Sequence, residues 1–350
     1  MRNRLLIFLA FLLALPLAAE QKNVKLLTGL SDLQLQRVMN EMAAGLGVGC
    51  DFCHTRKDGE LDFADESKKE KQRAREMIEL TRSLNTASFN GRSTISCYTC
   101  HRGKEHPTGL VPLPVAAPAR PGAGAEAHEA PKETPPANPA VADVVKRYAD
   151  AVGDAGKWSS LRAKGTRESL DGKNPIPIEV EASGANVHVT ATTPRGKSEQ
   201  ILGTTGGWMR GGQGAHALDA NDLERMHESA ALFMPLAPAD IPKEGRVIGH
   251  EKIGEHDAWA LFTTLGPKSR QRLYFDTTTG LLVRRVVLTD SPVGTIPQQT
   301  DYEDWRDAGG AKYPFTIRAA LVDPWSSAAR RYSEVTVGAT VDPAVFAEPK

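Results

Sequence analysis

All four cysteines of this 350-residue chain fall in two copies of one five-residue pattern, Cys50-Asp51-Phe52-Cys53-His54 and Cys97-Tyr98-Thr99-Cys100-His101. No other feature constrains the chain as tightly. Two thiols three positions apart share one side of a helical turn, where both can form thioethers to the vinyl groups of one porphyrin. The next residue then projects its imidazole to the iron as proximal ligand. The pattern predicts two covalently bound haem c groups, attached through Cys50, Cys53, Cys97 and Cys100, with His54 and His101 on the metals.

Rival chemistries explain less. A zinc ribbon uses paired cysteines about 15–20 residues apart, whereas 43 residues separate Cys53 from Cys97 and the repeated histidine has no role. A dithiol redox motif needs a βαβ setting that the flanking sequence lacks. Two structural disulfides suit an exported chain but leave both histidines to chance.

Distal ligands are sought on the helices before each motif. Ser31-Asp32-Leu33-Gln34 fits a capping box, and Leu35, Val38, Met39 and Met42 follow at one-stripe helical spacing, with Gly45, Gly47 and Gly49 ending the helix. Met39 lies eleven residues before Cys50; Met77 lies twenty before Cys97, on a second helix from about Glu66 to Leu84. A thioether there raises the potential relative to a second histidine, because soft sulfur favours ferrous iron. Met42 competes with Met39, and His106 with Met77. Phe52, Phe63, Leu46 and Val48 are candidate haem walls. The Lys, Arg and Glu run of the second helix reads as a solvated face.

Four blocks follow. Residues 1–19 read as a signal peptide: Arg2 and Arg4, an apolar run from Leu5 to Leu17, then Ala18-Ala19. The run is too short to span a bilayer, so the expected product is exported and periplasmic, with an uncleaved anchor as the alternative. Residues 20–106 form a small all-α dihaem cytochrome c domain. Residues 107–140, rich in Pro and Ala, read as an extended linker. Residues 141–350 turn β-rich after one helix, with repeated β-branched runs, a helix near Asn221 to Phe233, and turns at Lys164-Gly165, Asp171-Gly172, Thr279-Gly280 and Gly309-Gly310. The fold class expected is multidomain, the helical domain being joined to an α+β domain with a large curved antiparallel sheet, half-open and barrel-like.

Val38-Met39-Asn40, Leu46-Gly47-Val48 with the first motif and Lys57, Met77-Ile78 through Leu84-Asn85, and Ile95 with the second motif and Gly103 together resemble the photosynthetic reaction centre cytochrome c subunit family. The resemblance covers roughly residues 25 to 105. It implies haem units made of a helix bearing a methionine ligand, a turn and the attachment motif. Full members carry four motifs; this chain has two, and delivery of electrons to a photopigment is not carried over. The C-terminal block is similar to the outer-membrane lipoprotein carrier group in Lys164-Gly165-Thr166, Phe275-Asp276 with Thr279-Gly280-Leu281, Tyr302 and Asp304 with Lys312, Pro314 and Phe315, and Val341-Asp342-Pro343 with Phe346. That resemblance implies a lidded apolar concavity and an acyl-chain or lipoprotein ligand.

Lys+Arg and Asp+Glu are 43 each, a balance that argues against a nucleic-acid partner. The reading expected is a single-electron carrier, not an enzyme, with redox protein partners in the periplasm or at a membrane surface. A lipid- or lipoprotein-binding protein with a haem sensing or docking module is the alternative. Gly203 to Gly214 lacks the context of a phosphate loop. His188, His216, His227, His250 and His256 are scattered, and Trp158, Trp208, Trp259, Trp305 and Trp325 read as core or cavity lining.

Overall fold

The computed structural model describes residues 23–107, 138–194, 196–212, 214–230, 233–322 and 327–349. The expected signal peptide, most of the expected linker and Trp325 lie outside them.

Ser31 starts helix α1 (Asp32–Leu46) by the expected reciprocal cap: Gln34 N donates to Ser31 Oγ at 3.2 Å, and Ser31 N donates to Gln34 Oε1 at 3.0 Å. Gly47, at φ +68°, ends it; that left-handed state costs glycine nothing in side-chain clash. Gly45 sits inside the helix, against the second motif. Strands β1 (Thr55–Lys57) and β2 (Glu60–Asp62) then form a hairpin around Asp58 and Gly59, both at positive φ. This corrects the all-α expectation. Asp-Gly is a strong hairpin signal, but three-residue strands are too short to show alternation. Helix α2 (Lys69–Phe89) starts later and runs further than expected, ending at Asn90 in the left-handed conformation. Helix α3 (Cys97–His101) is the second motif itself.

Helix α4 (Val141–Val152) opens the second block. Strands β3 (Ser160–Glu168), β4 (Ile176–Ser183), β5 (Asn186–Thr193), β6 (Gly196–Gly203), β7 (Gly206–Gly211) and β8 (Gly214–Ala217) follow, then α5 (Ala220–Ala230). The chain continues with β9 (Gly245–Ile253), β10 (His256–Gly266), β11 (Ser269–Asp276), β12 (Leu282–Ser291), β13 (Gly294–Asp307), β14 (Lys312–Ala320) and β15 (Ala328–Val337). All thirteen make one antiparallel sheet in the order β8-β7-β6-β5-β4-β3-β15-β14-β13-β12-β11-β10-β9. The first six strands meander to one edge. The chain then crosses to the opposite edge and meanders back until β15 lies beside β3. Edge strands β8 and β9 do not pair with each other, so the sheet stays open. One face packs against α4 through Val144, Tyr148 and Val152, which join Leu161, Val180, Phe275 and Tyr313 in the main core.

Lys164-Gly165 is not a turn. It lies mid-strand in β3, with Gly165 opposite Tyr332 and Ile178. A Cβ there would come within 2.7 Å of Tyr332 Cα, so the glycine marks close backbone approach rather than a bend.

The helical block is packed on the sheet, not only tethered to it. Leu27, Val38, Ile78 and Cys97 share a cluster with Val293 and Ile296 from the β12–β13 hairpin region. Thr295 Oγ1 donates to Ser93 O at 2.9 Å, Asn221 Nδ2 to Asp32 Oδ2 at 2.7 Å, and Arg37 pairs with Glu228.

Candidate haem-attachment site

The first motif occupies a tight turn after Gly47, closed by a hydrogen bond from His54 N to Cys50 O at 3.1 Å. Lys68 Nζ reaches over it, donating to Asp51 O and to Phe52 O, the latter at 3.3 Å. Cys50 is exposed and Cys53 half-buried. The His54 ring meets Phe63 edge-on at 5.0 Å between centroids, and its Nδ1 is buried without a partner among the described residues. Burial, reinforced by Lys71, Lys68 and Arg75, holds the imidazole below its ordinary pKa. Iron ligation requires that neutral form.

These cations belong to a cluster that sequence reading took for a solvated face. Lys71 Nζ lies 2.7 Å and Arg75 Nη1 2.6 Å from Glu66, with Lys25 at 3.1 Å. The Arg75 and Lys71 hydrogen bonds hold the Glu66 carboxyl well below the usual carboxylate range. Charges on a helix carry no sequence mark that says which will fold back over a turn.

The second motif is fixed more firmly. Ser96 N donates to Thr99 Oγ1 at 3.0 Å. The preceding loop is held by Asn85, whose Oδ1 accepts from Thr94 N (2.9 Å) and Ile95 N (2.8 Å) while its Nδ2 donates to Ile95 O at 2.8 Å. Cys97 is buried against Gly45; burial, with the Glu41 carboxylate nearby, pushes its thiol up to about 11. Cys100 is exposed. His101 Nδ1 lies 3.0 Å from Lys104 O. A carbonyl partner calls for a proton on Nδ1, which leaves the Nε2 lone pair for a metal.

Four features suit haem c. The four cysteines are free thiols, two per motif. The two cysteine pairs sit in separate elements, one on the turn at residues 50–54 and the other on α3. His101 is oriented by a carbonyl. Phe63, against His54, and Tyr98, inside the second motif, are 59% and 56% exposed; large aromatics left bare next to candidate attachment residues would give a porphyrin plane apolar surface to cover.

Among the distal candidates, Met39 and Met42 are both half-buried and pack on the cluster that contains Val38, Ile78 and Cys97. Met77 is half-buried on α2, where Leu80 and Leu84 follow it along the helix as exposed apolar residues. His106 is exposed, 3.4 Å from Glu105. Of the other walls, Leu46 joins the α1 cluster, while Phe52 and Val48 are half-buried. The scattered histidines stay apart: His256 pairs with Asp276 at 2.8 Å and His188 approaches Glu199 at 3.8 Å.

Comparison with known proteins bears on the two blocks separately. Residues 16–134 match the family described as photosynthetic reaction centre cytochrome C subunit. The photosynthetic reaction center cytochrome c subunit of Rubrivivax gelatinosus is 36% identical over 90 residues, covering 25% of this chain and 23% of that protein. The subunit of Roseobacter denitrificans is 33% identical over 97 residues, covering 25% and 26%. The chain thus spans about a quarter of the length of these curated relatives. The β-rich block is similar to a LolA superfamily protein from Nitrosomonas europaea (13% identity, 60% of this chain and 98% of that one, TM-score 0.38). A DUF1329 family protein from Desulfovibrio piger aligns over the same shares at 13% identity and TM-score 0.39. The N-terminal part of the chain resembles the reaction-centre cytochrome c subunit family, and the C-terminal part is a large open antiparallel sheet.

Proposed function

We propose that the protein is an exported, periplasmic dihaem c-type cytochrome that passes single electrons between redox proteins. Cys50 and Cys53 would attach one haem and Cys97 and Cys100 the other, with His54 and His101 as proximal ligands and Met39 and Met77 as distal ligands. When bound, each haem supplies a one-electron ferric–ferrous couple. The chain's own work is to hold the His54 imidazole neutral through burial and the neighbouring cations, and to orient the His101 ring through the Lys104 carbonyl. The Lys71, Lys68 and Arg75 charges near His54 favour the less positive, ferrous state at the first site.

The observation that carries this reading is the repeated Cys-x-x-Cys-His, with the second histidine's Nδ1 against a backbone carbonyl. With a histidine and a methionine on each iron no coordination site would be open, which argues against peroxidase or oxygenase chemistry. The test is expression in a cytochrome-maturing host followed by intact mass and a pyridine haemochrome assay. Two haem masses added to the processed chain are expected; the mass of the bare polypeptide would end the proposal. Substituting Met39, Met42 and Met77 singly, and following the sulfur-to-iron charge-transfer band of the oxidised protein, assigns the distal ligands.

A further inference from the structure

The tip of a tight hairpin is ordinarily among the most exposed parts of a sheet. Strands β12 and β13 are joined by Pro292 and Val293, with Ser291 opposite Gly294, yet Val293 is 0% exposed. It shares a cluster with Leu27, Val38, Ile78 and Cys97 of the helical block. Gly294, at φ +136°, lies against Ser96, the residue that caps α3; a Cβ on it would come within 3.0 Å of Ser96 Cα and overlap the Ser96 Cβ. Only glycine suits both that backbone state and so close an approach.

Polar bonds fasten the same contact. Ser93 Oγ donates to Ser291 O at 3.3 Å, and Thr295 Oγ1 donates to Ser93 O at 2.9 Å. Arg270 Nη2 donates to that threonine hydroxyl at 3.1 Å while its Nη1 donates to Asp290 Oδ1 at 2.8 Å, so Thr295 is itself held. Residues 93–96 are thus gripped by the hairpin from the sheet and by Asn85 from α2.

Helix α3 depends on such a grip. Its five residues fall well short of the about 12–15 at which an isolated helix is even marginal, so whatever holds its ends sets its orientation. Beyond His101, Gly103 N donates to Gly45 O at 2.9 Å; before Cys97, the hairpin and Asn85 do the holding. The first motif is fastened within its own block, by Lys68 on Asp51 O and Phe52 O.

We propose that the tip of the β12–β13 hairpin, residues 291–295, is a positioning element of the second haem site. By fixing residues 93–96 it sets how α3 presents Cys97, Cys100 and His101, and how far water reaches the group they hold. This role rests on the dihaem reading. Loosening the hairpin admits water, which favours the more positive ferric state and lowers the potential at the second site alone.

The experiment is potentiometric titration of the full-length, haem-loaded protein, followed by haem absorption. The second site's wave is the one that remains after Cys50→Ala and Cys53→Ala. Thr295→Val keeps the shape of the side chain and loses the hydroxyl. It should lower the second wave so that the ferrous-to-ferric ratio at a fixed potential falls about threefold or more, a shift of about 30 mV at about 59 mV per tenfold for one electron. The first wave should not move. Thr295→Ser, which keeps the hydroxyl, should titrate as the wild type, and Gly294→Ala should move the second wave further. A contact that only adds stability would lower the urea midpoint and leave both waves in place; that result in a folded Thr295→Val would overturn the proposal, as would equal shifts of both waves. Ser93→Ala, which cuts the other bond, carries the same expectation and the same refutation if Thr295→Val does not fold. A wild-type mass without haem would instead end the dihaem reading, and this role with it.

Discussion

The contact between α1 and the second motif rests on glycine, and Gly47→Ala tests it. Gly47 ends α1 at φ +68°, its N–H bonding back to Ala43 O and Ala44 O. A Cβ there would come within 2.8 Å of the Gly103 carbonyl carbon and overlap its oxygen. Ordinary carbon contacts are about 3.5–4.0 Å, so one backbone must retreat by about 1 Å. Gly103 N donates to Gly45 O at 2.9 Å, and that retreat strains the bond joining the two segments. The left-handed conformation costs an alanine about 1–2 kcal/mol, and overpacking adds about 1–3 kcal/mol. A loss of about 2–5 kcal/mol is expected, read by urea unfolding with far-UV circular dichroism at unchanged slope. Gly59→Ala is the control: Gly59 also has positive φ, +88°, but nothing lies within 4 Å of its added Cβ. It should lose only the conformational part, about 1–2 kcal/mol. If Gly47→Ala costs no more than Gly59→Ala, the close packing of α1 on the second motif is refuted.

Asn85→Ala removes three hydrogen bonds to the loop entering Cys97; Thr94 N keeps its bond to Arg92 O at 2.8 Å, while the Ile95 N–H and carbonyl lose their Asn85 partners. A loss of about 2–4 kcal/mol with faster amide exchange at residues 94 and 95 is expected; unchanged exchange contradicts it. Val293, 0% exposed in the cluster joining the blocks, should not tolerate Val293→Asp. Burying that charge costs about 3 kcal/mol or more or separates the blocks, seen as a larger radius of gyration by X-ray scattering. Burial alone would raise the Asp276 pKa, but bonds from Thr279 N, His256, the Thr279 hydroxyl and Thr278 N outweigh it and hold the carboxyl low. Its contribution to stability is therefore complete above the unfolded value of about 3.9 and is lost as pH falls through the lower folded value. Asp276→Asn should make the acid-side decline of stability shallower; an unaltered decline would count against it.

The parts of the fold that local chemistry governs were legible beforehand. The Ser31 cap and the Gly47 stop hold because each is settled within four residues. The open antiparallel sheet followed from β-branched runs and turn signals, and Asp171-Gly172 and Thr279-Gly280 do turn. Gly165 misled because a glycine needed for close strand approach looks, in one dimension, like a glycine needed for a bend. The β1–β2 hairpin was missed because three-residue strands carry no period.

The two thiol–thiol–imidazole patterns are runs of contiguous residues, so they could be read from the chain without coordinates. What α1 does with its other side could not. Gln36, Arg37 and Asn40 are polar side chains on an amphipathic helix, yet with Leu33 they wall a cavity whose floor is more than 130 residues away in sequence. The cations around His54 and the hairpin tip against Ser96 are of the same kind. Burial and charge pairing depend on which distant strand or loop arrives beside a side chain, and only the folded chain decides that.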